Sequence, residues 1–209
     1  MIVRTIVAIL LGVSVNAPTV VGAQGLDGVD ASIGAGSGAL RVSTAAWRPL
    51  VSVLDRLTLS GGIRFTSYTG DAGTFTNRGS VSTALPTTIS LAPNVYGLAV
   101  AAAAELDLLA GLSVGFNIDL AGGALGADQF SGPLRATLQR GSLLLGGTPD
   151  IGALNSETYV AWRVLPTLSI RGGTTHFVTN FDVTDRVSGA SAKYQQFKTV
   201  PFVAVRWQY

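Results

Sequence analysis

Past residue 23 the chain nowhere offers the roughly 20 uninterrupted apolar residues that a membrane-spanning helix needs, although its mean hydropathy is +0.43. Only 12% of its residues are Asp, Glu, Lys or Arg, about half the ~25% usual in soluble domains. An apolar, charge-poor polypeptide without spanning helices has one other way to cross a bilayer. It can close its strands into a barrel, in which every backbone donor and acceptor is paired.

The residue pattern agrees. Leu112, Val114, Phe116, Ile118 and Leu120 alternate with Ser113, Gly115, Asn117, Asp119 and Ala121, the period of a strand between two unlike environments. Similar stretches at 56–69, 94–106, 155–164, 167–179 and 194–209 predict further strands. Pro49 to Asp55, Asp107 to Ala110 and Leu165-Pro166 read as short turns, whereas 70–93, 122–154 and about 180–193 read as long polar loops. Short turns at one end and long loops at the other suit a membrane barrel, and an even strand number asks for two more strands. These fall at 28–36 and 39–48, joined at Gly36-Ser37-Gly38, where glycine tolerates positive φ. The apolar positions change phase there, from Val29, Ile33 and Ala35 to Leu40, Val42 and Ala46; a single kinked strand is the rival reading. The expectation is all-β: an antiparallel up-and-down transmembrane barrel of eight strands.

The polar faces tell a membrane barrel from a soluble one. A water-facing side would be rich in Lys and Glu, but these faces hold Gly, Ser, Thr and Ala. Their charges are Asp30, Glu105, Asp119 and Glu157 against Arg41, Arg64, Arg163, Arg171 and Arg206, with no lysine. Such a set fits a confined interior, where the guanidinium fork satisfies several acceptors and an unpaired charge is costly. Eight strands leave room only for side chains. The expected lumen is therefore plugged by an Arg–carboxylate network that includes Asn117, Tyr159 and Gln208. Leu57, Leu59, Ile63, Phe65, Val160, Trp162, Val164, Leu168 and Ile170 would face lipid, with Trp162, Trp207 and Tyr209 at the interface. Trp47 points inward by phase but lies near the rim.

Residues 1–23 read as a cleavable signal peptide. Arg4 is the basic start, Ile6 to Val15 an apolar run about half a membrane span, and Val21-Gly22-Ala23 a small-x-small cleavage site. Residues 24–209 then form one domain. A net charge of +2 offers no basic patch for nucleic acid. With no cysteine and a single histidine, thiol chemistry and His-rich metal sites are excluded.

The last strand alternates Val203, Val205, Trp207 and Tyr209 with Ala204, Arg206 and Gln208 and ends on the aromatic. It resembles the closing strand of bacterial outer-membrane β-barrel proteins. Residues 24–209 resemble the small eight-stranded members of that class, typified by outer membrane protein X and the barrel of outer membrane protein A. Gly115-Phe116-Asn117-Ile118-Asp119-Leu120 and Leu154-Asn155-Ser156-Glu157 are similar to stretches of uncharacterised bacterial outer-membrane barrels. The resemblance implies a Gram-negative outer membrane, both termini periplasmic, outer-membrane lipid around the barrel, and the barrel-assembly machinery as a partner in biogenesis.

The residues point to no catalyst or cofactor. His176 stands in Thr174-Thr175-His176-Phe177, without the His-x-Ser spacing of outer-membrane deacylases, and reads as an interfacial or packing residue. Asp119 and Glu157 could form an acid–base couple, but among arginines they read as ion pairs. The glycine runs at 34–38 and 122–126 lack the Lys-Ser/Thr sequel of a phosphate cradle. Asp71, Asp128, Asp150, Asp182 and Asp185 follow no EF-hand spacing. The leading expectation is a structural or surface-interaction barrel, binding an extracellular ligand or surface through loops 70–93 and 122–154, with Phe130, Leu134 and Leu143 to Leu145 as apolar contacts. A narrow channel or transporter is second, and a lipid-modifying enzyme third.

Overall fold

The computed structural model describes residues 27–53, 56–78, 85–109, 111–143 and 152–209. The signal segment 1–23 lies outside them. The described residues form β1 (Gly28–Gly36), β2 (Ala39–Val53), β3 (Leu57–Gly70), β4 (Gly73–Asn77), β5 (Thr88–Leu91), β6 (Asn94–Leu109), β7 (Leu112–Gly126), β8 (Gln129–Ser131), β9 (Leu134–Leu138), β10 (Gly141–Leu143), β11 (Ala153–Leu165), β12 (Leu168–Asp185) and β13 (Ser191–Gln208).

Eight of these close a ring in the order β1-β2-β3-β6-β7-β11-β12-β13 and back to β1, every neighbour antiparallel. Closure comes from the last strand meeting the first, from Gly28 opposite Gln208 to Gly34 opposite Phe202. Such a ring leaves no edge strand unpaired in the membrane. Residues 28–48 form two strands, as the phase change predicts. Gly36, Ser37 and Gly38 all carry positive φ (154°, 52° and 70°), which fits two glycines around a short polar residue. The turn expected over Pro49–Asp55 is shorter than predicted, because β2 runs on to Val53. Its ladder with β3 slips between Pro49 and Val51, where proline has no N–H to donate.

Outward positions are apolar: Ile63, Phe65, Leu98, Val100, Val160, Trp162, Ile170, Val203 and Val205 are all exposed. On β13, Trp207 and Phe197 both face out, ten residues apart. At a rise of ~3.3 Å and a tilt of ~40°, this spans about 25 Å, the height of the apolar band between aromatic girdles in membrane barrels.

The stretches expected to be long polar loops are largely folded. β4 pairs with the far end of β13, β9 with the far end of β12, and β10 with β7. β5 and β8 add to β4 and β9. The order β5-β4-β13-β12-β9-β8 makes a second tier above the barrel. It is drawn together where Ala92 N donates to Gln129 Oε1 and Gln129 Nε2 donates to Ala92 O, each at 2.8 Å. Inside this tier Phe75, Ile89, Leu91, Leu138, Phe181, Val183 and Tyr194 are buried with Tyr68 and Phe177 from the barrel strands. Water-facing loops would not need that apolar filling. Paired strand extensions expose one face to water and must cover the other, which explains the departure from expectation.

Candidate functional site

The inward positions of the barrel form two layers. Nearer the short turns lies an ionic layer centred on Glu157 of β11. Arg41 of β2 pairs with its Oε1 and is fixed by Ser43 Oγ at 2.7 Å and Ser32 Oγ at 3.1 Å. Asn117 Nδ2 donates to Glu157 Oε2 at 2.7 Å. Arg64 Nη1 lies 3.7 Å from that oxygen and Arg171 Nη1 4.0 Å. Arg64 donates from Nε to Asp119 Oδ1 at 2.8 Å and from Nη1 to Asn117 Oδ1 at 2.7 Å. Arg171 Nη2 and Trp47 Nε1 both reach Asp30 Oδ2, each at 2.6 Å. Toward the short turns, Arg206 Nη1 and Tyr159 OH donate to Glu105 Oε2 at 2.7 and 2.9 Å, and Ser113 Oγ to Oε1 at 2.7 Å.

Strand periodicity delivers these side chains to one place. Asp30, Arg41, Arg64, Asn117, Asp119, Glu157 and Arg171 are buried, and each lies on the inward parity of its strand in the ring. Desolvated charges persist only when paired and hydrogen-bonded, and Asp30, Asp119 and Glu157 each meet a guanidinium from a strand that is not their neighbour in the ring, Arg171, Arg64 and Arg41. Asp119 and Glu157 are each occupied by arginine and amide partners, an arrangement of structural ion pairs.

Two expected members stand apart. Arg163 is exposed and has no ion pair among the described residues. Arg163 still pairs in register with Ser169, but at the end of the barrel its inward side chain lines an open mouth of about 280 Å³ together with Asp27, Glu105, Asp107, Arg206 and Gln208. There it is solvated and needs no partner. Gln208 likewise lines the mouth without a side-chain hydrogen bond among the described residues. Trp47, Asn155 and Thr175 join the network without having been placed in it from sequence. Trp47 turns inward to Asp30. Asn155 passes its backbone N–H to Asp119 Oδ2 at 3.0 Å, and its Oδ1 accepts from Thr175 Oγ1 at 2.6 Å. The signal was present for Asn155, which is two residues from Glu157 and so on the same face.

The second layer is apolar and sits toward the upper tier. Tyr68 stacks on Phe177 at 4.2 Å between centroids, and Phe75 meets Phe181 edge-on at 5.4 Å. At the outermost tip, Arg186 donates from Nε to Pro133 O and from Nη2 to Gly132 O, both at 3.2 Å, and lies 5.4 Å over the Phe130 ring. It thereby ties the β8–β9 turn to the β12–β13 turn. Phe130, Val187 and Leu143 are exposed, but Leu134 packs against the apolar core, a correction to its expected role as a contact. Residues 144 and 145 lie outside the described residues, as does Asp150.

Asp128 pairs with Arg135 at 2.5 Å, and Asp185 accepts from Val187 N and Ser188 Oγ within its own turn. No three metal-ligating side chains gather among the described residues. His176 is half-exposed on the outer face, sharing a 2.9 Å hydrogen bond with Thr199 Oγ1 and stacking on Phe197.

A closed eight-stranded ring, a lipid-height apolar belt and a paired ionic interior define a transmembrane β-barrel. No protein-family model matches the chain, and no curated protein matches it either. Solved structures do. Neisserial surface protein A shares 11% identity over 88% of this chain and 95% of its own, at a TM-score of 0.43. A major outer membrane protein from Thermus thermophilus shares 12% over 89% of this chain and 100% of its own, at 0.36. A loop-deletion mutant of OmpT, an outer membrane protein of Vibrio cholerae, shares 10% over 95% and 68%, at 0.25.

Proposed function

We propose that the protein is a non-enzymatic outer-membrane barrel, with both chain ends on the periplasmic side, whose interior is a structural core and whose working surface is the folded upper tier. One observation carries the reading: the lumen is filled twice, by the ion-paired layer around Glu157 and by the apolar layer around Phe177 and Phe181. A continuous aqueous path would have to break both. The exposed Phe130 and Val187, held by Arg186 between two turns, give the tier a preordered apolar tip for contact with another surface.

Folded, heat-modifiable protein reconstituted in a planar bilayer is expected to give no unitary conductance. Reproducible current steps would overturn the reading in favour of a channel. On intact cells, a Val187→Cys variant should react with a membrane-impermeant maleimide, whereas Thr167→Cys in the opposite turn should react only after lysis. The reverse pattern would invert the orientation.

A further inference from the structure

The outward face of β11, β12 and β13 departs from the apolar belt. Two cross-strand rows there are polar, Thr158–Thr174–Pro201 and, above it, Ser156–His176–Thr199. Pro201 is four residues below Phe197 and six above Trp207, the two girdle aromatics of β13, so the lower row crosses the middle of the membrane belt. Thr158 and Thr174 are exposed, and neither hydroxyl has a partner among the described residues. At that depth an acyl chain offers no hydrogen-bonding group, so lipid leaves both hydroxyls unsatisfied.

Strand tilt stacks these residues one above another. Followed across the ring from Gly28, the ladder passes Trp47, Gly62, Ala101 and Asp119, then Asn155 and Phe177, and comes back to β13 at Lys198. Lys198 is ten residues above Gln208, the direct partner of Gly28. Rows therefore climb from β11 toward β13, and strands lean the other way as they rise. At a tilt of ~40°, crossing one strand shifts a residue ~4 Å sideways, and rising two residues shifts it ~4 Å back. The pair His176–Thr199 thus stands almost directly over the pair Thr158–Thr174. Together the four make a polar stripe, two residues wide, along the membrane normal.

We infer that this stripe is the contact between two copies of the barrel, arranged about a twofold axis along the membrane normal. Copies inserted in one orientation can share no other twofold, and this one keeps every residue at its own depth. Two upright cylinders touch along a vertical line, which is the shape of the stripe. The axis passes between Thr158 and Thr174, so each faces the other residue in the second copy. A hydroxyl both donates and accepts, and such a pair therefore satisfies its own twofold mate, as two like charges could not. Higher up, the same axis sets His176 against the second copy's Thr199. Association inside a bilayer draws on close packing of small residues and on hydrogen bonds rather than on apolar burial. Gly172 fits that demand: a Cβ there would meet only Phe202 O, at 3.8 Å, so its own barrel does not require glycine. The dimer rests on the membrane placement proposed above.

The chain has no cysteine, so single substitutions report proximity. In phosphatidylcholine vesicles at high lipid-to-protein ratio, oxidation should link Thr174→Cys into a disulfide dimer at least tenfold faster than Val42→Cys, on the outer face of β2. Energy transfer between donor- and acceptor-labelled copies of Val187→Cys should exceed that of random mixing. Adding Thr158→Val and Thr174→Val should shift the midpoint of lipid dilution several-fold toward monomer. Should that variant fail to fold, the two cross-linking rates carry the test. Equal cross-linking at both positions overturns the dimer, as does a folded hydroxyl-free variant that associates like its parent. Transfer no higher than random mixing also overturns it and leaves the stripe to lipid. Protein that does not enter the vesicles would instead overturn the membrane reading itself, and the dimer with it.

Discussion

Phe177 stacks on Tyr68 across the lumen, their centroids 4.2 Å apart and their planes 23° from parallel. The two rings come from β12 and β3, which are not neighbours in the ring. Their contact therefore spans the barrel and roofs the ionic layer. Replacing Phe177 by Ala leaves a cavity that rigid strands cannot collapse into, at an expected cost of about 3–5 kcal/mol. Urea unfolding in micelles, followed by tryptophan fluorescence, measures it. The variant should remain silent in a planar bilayer, because the layer around Glu157 is intact beneath it.

Glu157 gathers Arg41, Arg64 and Arg171. Removing its carboxylate leaves Arg41 buried without an ionic partner, whereas Arg64 and Arg171 keep Asp119 and Asp30; breaking a buried pair in this way costs about 3–5 kcal/mol. Glu157→Ala should lower stability in the same urea assay by that order. Adding Arg41→Met should restore part of the loss, since the orphaned guanidinium is then gone. A double variant no more stable than the single would show that Arg41 is sustained by its serines alone.

The assignment of faces is open to labelling. Arg64 and Asp119 are buried inside, whereas Ile63 and Leu98 are exposed on the belt. A lipid-soluble thiol reagent should modify Ile63→Cys and Leu98→Cys in vesicles and leave Arg64→Cys and Asp119→Cys untouched. Modification of the latter pair from the membrane phase would reverse inside and outside.

Two carboxyls of the upper tier lie below their ordinary range: Asp128 through the hydrogen bond from Arg135, and Asp185 through the backbone N–H of Val187 and then the Ser188 hydroxyl. A depressed folded value means that the stabilisation is complete above the unfolded value of about 4 and fades as pH falls through the folded one. Amide protection factors at Val187 to Ala190 should therefore drop on acidification through that window. In Asp185→Asn they should be low throughout and lose the pH dependence. A pH-independent turn in wild type would remove Asp185 from this role.

Much of the candidate site was legible because it is an alternation effect. Which side a residue faces depends on a two-residue period that any stretch of ten carries within itself, so the inward set from Asp30 to Arg206 needed no partner information. Arg163 escaped because parity fixes which way a side chain points but not its height, and at the rim an inward side chain meets water. Trp47 was ambiguous because phase and height disagreed. The ring shows that its indole serves Asp30, a partner 17 residues away on the adjacent strand.

The amino-acid order alone determined the barrel, its eight strands and its two faces, since a bilayer outside and a confined interior impose unlike demands on successive residues. Only the closed tertiary structure decided which arginine meets which acid, because those pairs bridge strands up to 141 residues apart in the chain. It also decided that much of 70–93 and 122–154 folds. The apolar residues there sit in strands of three to five residues, too short to carry a period, and they find a core only when β12 and β13 extend past the membrane to receive them.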